Sequence, residues 1–324
     1  MNSHQRFLET MEYGIPDRVP LFEEGIREDV RDKWEQQGLP SGDELGREFT
    51  YDKRLEIAFN LEPRPMFKKW PISDDGLNEW HKRLDPDDPK RKPRNWPNKF
   101  VDSHQAGDIM MLRVHEGLFL TLGVYDWNRF HEVMFLLADE PGFIKKVMLL
   151  QGRFIAKIAE QVLSKVKVDA AIFGEPISGH DRSLVSPQMY EDLVLPSYDP
   201  IMEVLKANDV KTIIFRTYGN TRALLPSVVD WGVNCLWASE SNMQMMDYRD
   251  IRSEYGRDLR LIGGLDLDAL RFGQKAIKQE IDEKVPALLD DGGYIPLADG
   301  RVRKDIPFQS YKYYREYLQD IVSG

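Results

Sequence analysis

Residues 293–301 read GYIPLADGR, directly after the turn Asp290-Asp291-Gly292. The apolar run Tyr294-Ile295-Pro296-Leu297 stops on Asp299, Gly300 and Arg301. An unbroken apolar run of strand length points to a strand covered on both faces, as in a parallel sheet. Nothing in the packing of such a strand requires it to end on charge. A strand whose C-terminal end opens onto a shared site does have that reason.

The pattern recurs along the chain. Apolar runs fall at Val19–Phe22, Ile109–Leu112, Ala170–Phe173, Thr212–Phe215, Cys235–Trp237, Leu259–Leu265 and Tyr294–Leu297, with Arg54–Asn60 (RLEIAFN) as the eighth strand. Helical stripes lie between them: Ile277, Ile281, Val285 and Leu288 share one face, and Phe308, Tyr311, Tyr314, Leu318 and Ile321 another. Alternation of this kind means βα units. The residues at the ends of the runs are Glu23 and Glu24, His115 and Glu116, Glu175, Arg216 and Tyr218, Glu240, Asp266, and Asp299 with Arg301. Any one of them is explained by the start of an exposed loop; the succession, mostly of carboxylates, is not. A doubly wound sheet gathers its site at one switch point. A closed (β/α)₈ TIM barrel brings every C-terminal strand end to one mouth. The expected fold class is therefore α/β, a (β/α)₈ TIM barrel.

The 324 residues contain no internal repeat. The stretch near 68–99 is rich in Trp, Pro, Asp and Lys and reads as an irregular excursion, because a split there leaves an N-terminal piece too small for its own core. A single domain over 1–324 is expected. The formal charge of −10 argues against nucleic-acid binding. The basic run Lys90–Arg94 is read as a solvated connection. The lone Cys235 excludes an intrachain disulfide and a multi-thiolate metal site, and itself reads as core. With no apolar N-terminal region and no run of membrane-spanning length, no membrane partner and a cytoplasmic location are expected.

Three longer stretches carry a family likeness: TYGNTRALLPSVVDWGVN (217–234), LRLIGGLDLDAL (259–270) and GGYIPLADGRVRKDIPFQSYKYYREYL (292–318). They resemble the uroporphyrinogen decarboxylase superfamily, and LVSPQMYEDLVLPSYDPIM (184–202) and GIPDRVPLFE (14–23) agree. The resemblance implies a (β/α)₈ barrel with its site at the mouth, and one of two chemistries: decarboxylation of porphyrinogen acetates, or methyl transfer to or from corrinoids. The decarboxylases carry an Arg-rich N-terminal motif; here Glu23–Arg31 holds more acid than base, which repels a polyanion. The histidine that those enzymes place in the last strand is also missing from Ala298–Arg301. The zinc-thiolate methyltransferases use a His-x-Cys pair and a further Cys; here Arg216-Thr217-Tyr218 stands in the first place and the last strand has no Cys. What the resemblance leaves is the type of the first methyltransferase of an O-demethylase system, which passes the methyl group of a small methoxylated aromatic, or of another methylated donor, to a corrinoid (cobalamin) on a partner protein. The alternative is a uroporphyrinogen decarboxylase-like carboxy-lyase.

Residue type then assigns expected roles. Loss of a methyl group from an aryl ether leaves a phenoxide, stabilised by a cation or an acid. Arg216, Tyr218, Glu240 and Asp299 are the expected catalytic residues. Glu24, His115, Glu116, Glu175, His180, Trp237 and Arg301 are the expected substrate contacts, Trp237 by ring stacking. His115, Glu175, Glu240 and Asp299 are also candidate ligands for a zinc ion that no motif specifies. The expected partners are a small-molecule methyl donor, a corrinoid protein and, for self-association, a homodimer.

Overall fold

The computed structural model describes residues 1–40, 45–241 and 243–324. The chain clusters into two compact units, each assembled from separated stretches. A central unit comprises Arg54–Ala106 and Met110–Asn234; a terminal unit comprises Met1–Lys53, Gly107–Ile109 and Cys235–Gly324.

The central unit carries β1 (Arg54–Ile57), β2 (Ile109–His115, except its first residue), β3 (Ala170–Glu175) and β4 (Thr212–Tyr218), side by side in chain order. β2–β3 and β3–β4 are parallel, the latter with Gly174 opposite Arg216 and Glu175 opposite Thr217. Parallel neighbours need a crossover of a dozen or more residues. Here the helix Pro141–Leu163 lies between β2 and β3 in the chain, with Pro at its first turn where the missing N–H costs nothing. Its Phe143, Ile144, Val147, Met148, Gln151, Phe154, Ile155, Ile158 and Val162 line one buried face at helical spacing.

The excursion near 68–99 has its own packing. Trp70 and Trp80 lie 5.4 Å apart and Phe67 about as close to both. The basic run is not wholly a solvated connection: Lys90, Lys92 and Arg94 are exposed, but Arg91 is buried. Its guanidinium donates to the carbonyls of Asp85, Asn60, Glu62 and Arg83 at 2.6–2.9 Å, so it closes loop backbone that would otherwise be unsatisfied.

The terminal unit carries β5 (Cys235–Ser239), β6 (Arg260–Leu265) and β7 (Tyr294–Ala298), again in chain order and parallel. The two striped helices are Gln274–Asp291 and Phe308–Ser323, and they pack on each other. The predicted face of the first is buried as expected; in the second Val322, not Ile321, completes the buried face.

Val19–Phe22 is not a strand. Pro20 has no N–H to give a ladder, and side chains take the neighbouring backbone groups. Leu21 N–H donates to Asp52 Oδ2 (2.8 Å), and Arg315 Nη1 donates to the Phe22 carbonyl (2.8 Å). The described residues thus hold seven parallel-type strands of an α/β fold, one fewer than the closed barrel expected.

Candidate functional site

In the central unit the strand ends build two clusters. Arg216, near the end of β4, grips Glu56 of β1 with Nη1 to Oε1 at 2.6 Å and Nη2 to Oε2 at 2.9 Å. Arg113 of β2 reaches the same Oε2 (2.8 Å) and Arg54 the same Oε1 (3.2 Å). Burial pushes the Glu56 carboxyl up, but the donors from Arg216 and Arg113 outweigh it and hold it at about 2.

The second cluster is fully buried. Glu175, at the end of β3, accepts the Leu118 N–H on Oε1 (2.8 Å) and the hydroxyls of Tyr190 (3.1 Å) and Tyr198 (3.3 Å) on Oε2. Burial raises its pKa to about 7 against those three hydrogen bonds. The ring of His115, at the end of β2, lies 5.0 Å from that of Tyr198. Its Nδ1 accepts the Gly117 N–H (2.8 Å), which places the ring proton on Nε2. Nε2 is buried without a hydrogen-bond partner. Burial lowers the imidazole to about 4, so it is neutral at physiological pH. Gly117 is required here: its φ is +95°, and a Cβ would sit 2.6 Å from Glu175 Oε1. Glu116 is pushed up by burial, with Arg113 pulling the other way. Tyr218 is 42% exposed. His180 is on the surface, its Nδ1 2.9 Å from Asp181 Oδ1.

In the terminal unit Asp299 follows β7 directly. Its Oδ2 accepts the N–H (2.7 Å) and the hydroxyl (3.1 Å) of Ser241, while Oδ1 is buried with no partner. Burial raises the carboxyl to about 7, against the Ser241 hydrogen bonds. Glu240, directly after β5, adopts the left-handed backbone region with φ +47°, uncommon for a residue with a side chain. Arg27 Nη2 donates to Glu240 Oε1 at 3.0 Å, and Ser239 Oγ to Glu24 Oε1 at 3.2 Å. Gly300 packs on this group: a Cβ there would lie 3.1 Å from Glu240 Cγ, and its φ is +89°. Glu24, Glu240 and Asp299 are thus gathered around the ends of β5 and β7, with Arg27 as counter-charge. Arg301 is exposed and donates to the Ile26 carbonyl (2.7 Å).

Two expectations change. Trp237, expected to stack on a ligand, is 0% exposed in the middle of β5, with the Phe22 ring 6.1 Å away. It is a core residue, as is Cys235, whose thiol burial pushes up to about 12. The zinc candidates are the second change. None of His115, Glu175, Glu240 and Asp299 belongs, among the described residues, to a group of three His, Cys, Asp or Glu ligand atoms within 4.8 Å of one another. Glu175 has both oxygens occupied by protein donors. This donor set does not fit zinc.

Residues not singled out from the sequence include Glu56, Arg54 and Arg113, the tyrosines Tyr190 and Tyr198, and Ser241. Arg113 did leave a sign, a cation inside the apolar run IMMLRV.

The family model described as uroporphyrinogen decarboxylase (URO-D) matches residues 127–297, just over half of the chain. Similar solved structures include a GH26 β-mannanase from Bacteroides ovatus, at 13% identity and TM-score 0.40, covering 69% of this chain and 72% of that one. Xylanase B from Clostridium stercorarium F9 aligns at 10% identity and TM-score 0.37, covering 78% and 79%. No curated protein matches the sequence. Among the described residues no helix is long and apolar enough to cross a membrane.

Proposed function

The chain belongs to the uroporphyrinogen decarboxylase family, whose members are decarboxylases or methyltransferases, and on that premise we propose that it is a methyltransferase of the O-demethylase type. Its donor is a small methoxylated aromatic. Its acceptor is a corrinoid carried by a partner protein, which when bound supplies a reduced cobalt nucleophile.

The observation that supports this reading is the state of Asp299. A carboxyl with pKa about 7, one oxygen hydrogen-bonded and the other buried and unpaired, holds a proton on Oδ1 for part of the population at neutral pH. Departure of the methyl group leaves the C–O electron pair on the aryl oxygen. A proton from Asp299 Oδ1 converts that phenoxide into a phenol, and a general acid of this kind contributes about 100- to 10,000-fold. Glu240 and Arg27 form an ion pair beside it and add no net charge. Glu24 also makes this end of the unit unfavourable for a polyanionic porphyrinogen.

The test is to mix the protein with a cob(I)alamin carrier and a panel of methoxylated aromatics. Bleaching of the Co(I) absorption that depends on both protein and donor supports the reading. Carbon dioxide released from a carboxylic acid with no corrinoid present replaces it with the carboxy-lyase, which the arginines around Glu56 favour as a second reading.

A further inference from the structure

At the N-terminal ends of β6 and β7, the opposite end of these strands from Asp299, the terminal unit gathers arginines. Arg249, Arg252 and Ser253 stand at positions i, i+3 and i+4 of the helix Tyr248–Tyr255 and share one face; Arg257 follows in the next turn. These four and Asp291 line a cavity of about 410 Å³, within the size range of small-ligand sites. Arg249 is balanced by Asp247, with Nη2 donating to Oδ2 at 2.6 Å. Arg252 is not balanced. It is 6% exposed, yet it donates only to neutral acceptors, the carbonyls of Gly256 (3.1 Å) and Gly293 (3.4 Å) and the Tyr13 hydroxyl (3.3 Å), and its Nε has no partner. An arginine is almost never fully buried unless paired. The guanidiniums of Arg252, Arg257 and Arg260 all lie 5.0–5.8 Å from the centre of the one Tyr13 ring. Gly293 makes room for that ring: its φ is +62°, and a Cβ there would sit 2.4 Å from Tyr13 Cε1. Cation–π attraction and the partial charges of the carbonyls offset some of the repulsion. Among the described residues none of the three arginines forms an ion pair. Asp291, on the cavity wall, does not balance three guanidiniums.

We propose that this cavity binds a phosphate group, free or esterified to a small molecule. Guanidiniums make charge-assisted hydrogen bonds to phosphate oxygens. The donors come from a helix face, Arg252 and Ser253, and from the turn after it, Arg257. Donors on separate elements suit a tetrahedral oxyanion better than the single plane of a carboxylate. A phosphate monoester also carries about −1.5 to −2 charges at neutral pH, more than a carboxylate, and so meets more of the surplus. The five residues of β7, about 17 Å of strand, separate the cavity from Asp299. A phosphate held here therefore acts on the stability of the fold and not on the reacting atoms.

Calorimetric titration of the full-length protein with inorganic phosphate, glycerol phosphate and acetate, at constant ionic strength, tests the site. The expected result is saturable phosphate binding with a rise in melting temperature, and no saturation by acetate. The tighter of the two phosphates identifies the source, the free ion or an ester. Arg257 is exposed, so Arg257→Gln should fold, and it should weaken phosphate binding by about tenfold or more, the loss of one charge-assisted hydrogen bond. Asp291→Asn removes a like charge from the cavity wall and should tighten phosphate binding by about two- to fivefold. Arginines that serve only to cap carbonyls give no reason for that gain. Absence of saturable phosphate binding, acetate binding as tight as phosphate, or an affinity unchanged in both variants overturns the proposal.

Discussion

Glu175 and Asp299 are both carboxyls at the end of a parallel strand, both buried, and both raised to about 7 by that burial. Their surroundings differ. Glu175 is wholly enclosed, with three protein donors on its two oxygens. Asp299 has Ser241 on one oxygen and nothing on the other. A shifted pKa therefore does not by itself identify a catalytic acid. An unpaired atom on the shifted group separates a proton that can be delivered from one that is held in place.

The contrast breaks most visibly under Asp299→Asn. The amide keeps an oxygen for Ser241 but carries no transferable proton, so kcat should fall by about 100- to 10,000-fold with little change in melting temperature. Equal loss of stability and activity would put Asp299 in the same structural class as Glu175. Glu175→Ala should do the opposite. It strands the Leu118 N–H and the Tyr190 and Tyr198 hydroxyls in a fully buried setting, at about 1–3 kcal/mol for each unsatisfied group, and the loss should appear in urea denaturation. Glu175→Gln, which retains an acceptor, should recover part of it.

The pH dependence of stability sharpens the comparison at smaller amplitude. Both groups have folded pKa values of about 7, above the ordinary 4.5 of Glu and 3.8 of Asp. Between those limits the folded state keeps protons that the unfolded state has released. Their stabilisation is thus full below about pH 4, falls as pH rises, and is lost above about 7. Glu56, held at about 2, has the reverse sign but acts only in acid, whereas His115, lowered from 6.5 to about 4, gains stability as pH rises through this window and offsets part of the fall. Denaturation at pH 5, 6 and 7 should show stability falling, with the slope reduced in Glu175→Gln and again in Asp299→Asn. A slope left unchanged by either substitution would remove the basis for that residue's assignment.

The strands that made this comparison available were legible because their apolar runs are unbroken and end on charge, as at Ala170–Glu175 and Tyr294–Asp299. The same signal misled at Val19–Phe22, where Pro20 and the side chains of Asp52 and Arg315 replace a ladder. It also underplayed β1, whose four residues alternate charged and apolar. Trp237 was misjudged for a related reason: in a strand covered on both faces, alternation no longer says which side chain meets a ligand. The Glu56 cluster was out of reach because Glu56 and Arg216 are 160 residues apart and nothing local marks them as partners. Charge compensation of this kind belongs to the fold.

The smallest effect expected is on the Arg27–Glu240 ion pair, and it tests whether the acids near Asp299 matter beyond Asp299 itself. Both side chains are more than 40% exposed, so the pair contributes about 0.2–1 kcal/mol at most. Arg27→Ala should leave the melting temperature nearly unchanged. It would, however, leave Glu240 uncompensated beside Asp299, and a nearby negative charge disfavours ionisation of a carboxyl. The upper pKa of the pH–rate profile should therefore move upward in Arg27→Ala, more at low salt than at high salt because screening reaches an exposed charge. A profile that stays put at low salt would mean that Glu240 does not act on Asp299, and the acid chemistry would then rest on Asp299 and Ser241 alone.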